Sequence, residues 1–201
     1  MDRITLKNMA KQQISGNIGI LFVCLLVYAI ITGAVNAIPS ICAIASLVIA
    51  APLEIGLIVI FLKLRNGEPP KIEELFKHFD IFAQSVLVTL LASIFIALWS
   101  LLFIIPGIVA SFSYAMAPYI LAENKSLTAM EALKISKQMM NGHKADLFVL
   151  YLSFIGWGLL IPVTFGLISI YAAPYINATM ANFYCSIKDG YVDTTSEVYD
   201  A

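Results

Sequence analysis

"LFVLYLSFIGWGLLIPVTFGLISIYAAPYINATMANFYCSI", residues 147–187, runs for 41 residues without a charged side chain. A hydrocarbon core roughly 30 Å thick is crossed by about 20 apolar residues in helical form. The run is too long for one crossing and suits two, provided that the chain turns near its middle. Pro162 and Gly166, in "LIPVTFG" at 160–166, supply turn chemistry at that point. A helical hairpin in lipid is the expectation, because a spanning segment must satisfy its own backbone groups.

The rest of the chain repeats the pattern. Of 201 residues, 60% are hydrophobic and only 12% charged, against roughly 25% charged in soluble domains. Mean hydropathy is +0.88. Further spans are expected from about Ile18 to Ile38, Ile41 to Leu64, Ile81 to Ile105 and Gly107 to Ala122. The fold class is thus an all-α integral membrane protein with six transmembrane helices arranged as three hairpins. A net charge of −1 argues against nucleic acid as a partner.

Positive charge sets the orientation. Arg3, Lys7 and Lys11 precede span one; Lys63, Arg65, Lys71 and Lys77 follow span two. Lys125, Lys134, Lys137 and Lys144 follow span four, and Lys188 follows span six. None lies near Pro39, Pro106 or Pro162. The positive-inside rule then puts both termini in the cytoplasm. "AVNA" at 34–37 has the small residues of a signal-peptide cleavage site, but the long polar segment before it and the full span length favour a retained helix.

Six of the eight prolines follow one rule. Ile38-Pro39, Ile105-Pro106 and Ile161-Pro162 mark outer turns, where proline suits a helix start. Each is followed by an Ala-Pro, at Pro52, Pro118 and Pro174, inside the returning helix. Proline there removes a backbone donor and crowds the carbonyl four residues back, so three helix kinks are expected. "KQQISGN" at 11–17 and "KQMMNGH" at 137–143 each end a polar helix on glycine, the common C-cap residue. These features suggest a single transmembrane domain, 1–190, of three repeats, 1–66, 67–123 and 124–190. Residues 191–201 are expected to form a disordered cytoplasmic tail.

The polar segments read as amphipathic cytoplasmic helices. In "LTAMEALKISKQMMN", 127–141, Thr128 and Glu131 have capping-box spacing. Leu127, Met130, Leu133 and Met140 recur near helical period, opposite Glu131, Lys134, Lys137 and Gln138. Such a helix either lies in the interface near anionic lipid or packs beneath the bundle.

Candidate chemistry is sparse. Apart from Lys63 at the very end of span two, Glu54 is the only charged residue within an expected span. An acidic side chain at the bilayer centre costs on the order of 2.5–3.5 kcal/mol on insertion scales. Either it contacts an ion, proton or head group, or it is a partnered carboxyl that locks helices together. Asn177 holds nearly the matching place after Pro174. Tyr119 and Tyr175 follow their prolines directly, and Tyr114 and Tyr171 stand about one helical turn before them. These tyrosines either line a cavity, bond across helices or sit in an interfacial belt. Trp99 and Trp157 read as packing or anchoring residues. Cys24, Cys42 and Cys185 are far apart, and with His78 and His143 they form no metal-ligand pattern. No catalytic residues, metal site or cofactor is expected: phosphate-loop, nucleophile-elbow and HExxH patterns are all missing. Asp146, near His143, serves as a helix-start residue.

"SYAMAPYILAEN", "EALKISKQMMNGHKADLF", "LSFIGWGLL" and "PYINATMANFY" carry a resemblance. The chain resembles the small bacterial multi-pass membrane proteins grouped as domain of unknown function nine-seven-five. That family is distantly similar to the membrane domain attached to some glycerophosphodiester phosphodiesterases. The resemblance implies a bacterial cytoplasmic membrane location and brings no activity or catalytic residue. The expected function is a non-catalytic module that binds membrane lipids or a membrane protein partner, in export or envelope homeostasis. The alternative is a small transporter or channel using the Pro-kinked helices and Glu54.

Overall fold

A computed structural model describes residues 3–37 and 43–199, with side chains described at 3–37 and 46–191. Pro39 and Cys42 lie outside those residues, so the first expected Ile-Pro turn is not described. Every regular element among the described residues is helical.

The chain begins with α1 (Arg3–Ile14), whose Leu6, Ala10 and Ile14 are buried. Gly16 ends it with φ +85, and the segment passes into α2 (Ile18–Asn36). Next comes α3 (Ala43–Arg65), the most enclosed long helix: its inner half, from Ala51 to Leu64, is almost wholly buried. Two short 3-10 turns, Ile72–Leu75 and Lys77–Ile81, lead to α4 (Phe82–Leu102). One extended residue, Phe103, reverses the chain into α5 (Ile104–Tyr114), so Pro106 falls in the first turn of the returning helix as expected.

The returning span is not continuous. It stops at Tyr114 and restarts as α6 (Ala117–Glu123), with Pro118 in the first turn. The fifth span also divides, into α8 (Lys144–Leu152) and α9 (Ile155–Val163). Between α6 and α8 lies the amphipathic α7 (Ala129–Met139), opened by the expected Thr128–Glu131 capping box and closed through Gly142 at φ +84. The last helix, α10 (Ser169–Tyr199), carries its backbone into residues 191–199.

Proline behaves differently at the three expected kinks. At Pro118 the helix is interrupted, whereas Pro52 and Pro174 sit inside helices that continue through them. Pro162 also departs from expectation, since it lies in the last turn of the outgoing α9 instead of opening the return. The reversal after it uses Phe165 at φ 50 and Gly166 at φ +82, with the Gly166 N–H donating to the Ile161 carbonyl at 2.8 Å. That is the bond of a Schellman stop, in which glycine usually takes the left-handed position that Phe165 takes here.

Among the described residues, five helical stretches are long and apolar enough to cross a membrane: Ile18–Asn36, Ser46–Arg65, Ile72–Leu102, Ile104–Glu123 and Lys144–Val163. The last helix, at 31 residues, is as long as the longest of them but carries Asn177, Thr179 and Asn182 along its apolar part and is not among the five. The core sits around α3 and α10. Glu74 bonds Lys63 of α3 at 3.0 Å and Lys77 at 2.6 Å, fastening the loop below α4. Glu123 at the end of α6 takes hydrogen bonds from Tyr184 at 2.8 Å and Lys188 at 2.6 Å. On the other side of α10, Asn182 and Gln13 exchange reciprocal amide bonds of 2.9 and 3.1 Å.

Candidate functional site

The third helix brings Glu54 into the bundle one turn past Ala51, where its neighbours Leu53, Ile55 and Leu57 are buried and Glu54 itself is partly buried. Its carboxyl makes no hydrogen bond or ion pair among the described residues. What it meets instead is a cavity of about 450 Å³. The walls come from α3, α4, the α5–α6 break, α8 and α10: Glu54, Thr89, Ser93, Tyr114, Tyr119, Tyr151 and Asn177 supply the polar groups, with Val88, Ala92, Ile96, Ile176 and Met180 between them. Pockets of this size, mostly apolar with a few convergent polar groups, are the usual form of small-ligand sites.

The polar lining has a definite sense. Thr89 donates its hydroxyl proton to the Ser85 carbonyl at 3.1 Å, and Ser93 donates to the Thr89 carbonyl at 2.7 Å. Asn177 gives one amide hydrogen to the Ala173 carbonyl at 2.9 Å, which leaves its second N–H and its side-chain oxygen for other partners. The Thr89 and Ser93 protons are turned back onto α4, while the Tyr114, Tyr119 and Tyr151 hydroxyls can donate or accept. With the Glu54 carboxyl as the one acid in the lining, the wall suits a cation or an N–H donor. The tyrosines contribute ring faces, which attract cations through their quadrupole.

The α5–α6 interruption helps to shape this wall. Pro118 has no N–H to offer, and the chain passes through Ala115 and Met116 before α6 resumes. Ser136 of α7 donates to the nearby Ser113 carbonyl at 2.8 Å, so the break is satisfied from outside its own helix. The Tyr114 ring is held against Phe95 with centroids 5.8 Å apart, and Tyr119 lies against Tyr184 at 5.3 Å.

Of the residues singled out from sequence, Glu54, Asn177, Tyr114 and Tyr119 meet in this cavity. Tyr171 and Tyr175 do not. They stack on each other at 5.9 Å and on Trp157 at 5.7 and 5.8 Å, in an aromatic cluster on the α9–α10 hairpin. Phe154 joins that cluster edge-on to Tyr175 and receives the Lys7 ammonium 4.8 Å from its ring centre. Sequence reasoning passed over Thr89, Ser93 and Tyr151. A signal for two of them was present: Ser85, Thr89 and Ser93 recur every four residues on one face of α4. No group of His, Cys, Asp and Glu able to hold a metal ion occurs among the described residues. Cys24 and Cys185 are buried free thiols.

The model of one protein family, described as protein of unknown function (DUF975), matches residues 1–113 and 101–190. The chain belongs to that family, as the quoted motifs suggested. No curated protein and no solved structure matches the chain.

Proposed function

We propose that this member of a family of unknown function is a non-catalytic binding module of the bacterial cytoplasmic membrane, and that its central cavity takes an amine-bearing or other cationic group against Glu54. The observation that carries this reading is a carboxyl inside a spanning helix that has no protein partner among the described residues and is the one acid lining the cavity. An intramembrane ionisable residue is costly to keep, on the order of 2.5–3.5 kcal/mol by insertion scales, and is retained where it has a use. The bilayer itself offers ammonium-bearing head groups, so a lipid is the readiest source of such a ligand.

Six spans with both termini cytoplasmic agree with the pattern of ion pairs. Arg65 meets Asp189 at 3.7 Å and Lys188 meets Glu123 at 2.6 Å, so the basic end of α3, the end of α6 and Lys188–Asp189 of α10 gather at one end of the bundle. Gathering of Lys and Arg on one side is the mark of the cytoplasmic face. On this reading α10 is the sixth span, its extra polarity matched by partners within the protein.

The test is ligand binding by the purified chain in detergent or nanodiscs, with inorganic cations and a series of primary and quaternary amines titrated over a pH range. The wild type should bind at least one class saturably, and Glu54→Gln should weaken that binding about tenfold or more. Equal binding by wild type and Glu54→Gln at every pH would overturn the reading. A second reading, transport through the cavity, is favoured by the contribution of α3, α5–α6 and α10 to one void. Flux of the bound cation across proteoliposomes, abolished in Glu54→Gln, would select it; binding without flux would select the static module.

A further inference from the structure

A second site lies on the outer side of α5. A groove of about 190 Å³ runs along that helix, walled by Trp99, Pro106, Val109 and Ala110 and closed at one end by Lys137 and Lys144. Trp99 of α4 and Val109 of α5 are exposed at 48% and 43%, while Gly107, Ala110 and Ser113 of α5 are buried. The groove is thus apolar along most of its length and cationic at the end where α7 gives way to α8.

Five other bases of the protein are held by acids. Lys63 and Lys77 are neutralised by Glu74, Arg65 by Asp189, Lys125 by Asp80 and Lys188 by Glu123. Lys137 and Lys144 make no ion pair or side-chain hydrogen bond among the described residues. The acids nearest to them in sequence are engaged elsewhere: Asp146 faces His143 at 3.3 Å, and Glu131 takes the Thr128 N–H and hydroxyl at 2.8 and 2.7 Å. Two unneutralised ammonium groups at the mouth of an apolar groove, at the cytoplasmic end of a spanning helix, complement an amphiphile with an anionic head and a hydrocarbon tail. Basic side chains at that depth attract the anionic lipids of the inner leaflet.

We propose that this groove is a binding site for an anionic phospholipid, its phosphate held by Lys137 and Lys144 and one acyl chain laid along Val109 and Pro106 beneath Trp99. The site is distinct from the Glu54 cavity and has the opposite charge preference. It also gives α7 a role: the helix presents a phosphate contact at the membrane surface.

The experiment uses the full chain in nanodiscs of phosphatidylcholine doped with phosphatidylglycerol of identical acyl chains, with retained lipid counted by native mass spectrometry. The wild type should retain phosphatidylglycerol about tenfold or more over phosphatidylcholine. Lys137→Gln/Lys144→Gln should abolish that preference, and Lys134→Gln, exposed on the same helix but outside the groove, should keep it. Brominated acyl chains give a second measurement that needs no lysine variant: brominated phosphatidylglycerol should quench Trp99 more strongly than brominated phosphatidylcholine does, and Trp99→Phe should remove the difference. Equal retention and equal quenching of the two lipids by the wild type would overturn the proposal. So would a double variant that keeps the wild-type preference. In Glu54→Gln the phosphatidylglycerol preference should still depend on Lys137 and Lys144, which separates this site from the cavity.

Discussion

Ser136 donates its hydroxyl proton to the Ser113 carbonyl at 2.8 Å, with both residues buried and 23 positions apart in the chain. The bond joins a helix that sequence reading places at the membrane surface to the interior of a spanning segment. It sits beside the one expected kink at which the helix is interrupted. A carbonyl left unpaired in a buried site costs about 1–3 kcal/mol. Ser136→Ala should therefore destabilise the protein by that amount, read as a lower midpoint of denaturant unfolding in detergent. A midpoint equal to wild type would show that the carbonyl finds another donor.

Gly56 faces the backbone of Leu75 so closely that a Cβ on it would lie 2.5 Å from the Leu75 carbonyl oxygen. Neither partner can yield, since α3 is buried there and the 3-10 turn is fastened by Glu74 to Lys63 and Lys77. Gly56→Ala should cost about 1–3 kcal/mol, the usual penalty for overpacking. Gly158 of α9 has nothing within 4 Å of its Cβ direction, and Gly158→Ala should be neutral or stabilising. Thermal unfolding of the two variants side by side checks the contrast.

Asn182 is 1% exposed and holds Gln13 by two amide bonds. It is the polar link between α1 and the last helix. Asn182→Ala should loosen α1 more than the bundle, and trypsin cleavage at Lys7 and Lys11 should quicken severalfold while the spanning helices remain protected. Cleavage at the wild-type rate would mean that the burial of Leu6, Ala10 and Ile14 suffices to hold α1.

The Thr128 backbone N–H and then its hydroxyl hold the Glu131 carboxyl below its ordinary value of 4.5. A depressed carboxyl contributes stability that is complete above the unfolded value and fades as pH falls through the lower, folded one. Hydrogen-exchange protection of the first turn of α7 should therefore be constant above about pH 5 and drop below pH 4.5. Glu131→Ala should show reduced protection that no longer varies in that range.

Much of the fold was legible because its signals are local. Charge-free length marks spans, Gly16 and Gly142 stop the helices that precede them, and Thr128–Glu131 opens α7. The break between α8 and α9 was not legible. No proline or glycine lies at Ser153–Phe154, and the interruption there is held by the Ser153 hydroxyl bonding to the Leu150 carbonyl and by Phe154 packing under Lys7 and against Tyr175. The last two partners lie far away in the chain. The cavity was half legible for the same reason. Glu54 and Asn177 stand out as polar residues in apolar runs, whereas Tyr151 looks like any tyrosine in a membrane helix until α8 is seen to face α3. Tyr171 and Tyr175 share the sequence setting of Tyr114 and Tyr119 but are taken up by Trp157 and Phe154.

Tyr114 lines both the Glu54 cavity and the groove beneath Trp99. One side chain is thus a shared wall between two compartments that favour opposite charges. A ring displaced toward either void would narrow that void and widen its neighbour, and any coupling that results acts equally in both directions by reciprocity. The composition of the inner leaflet would then set how tightly the cavity holds its cation, which makes the surrounding lipid an effector as well as a solvent.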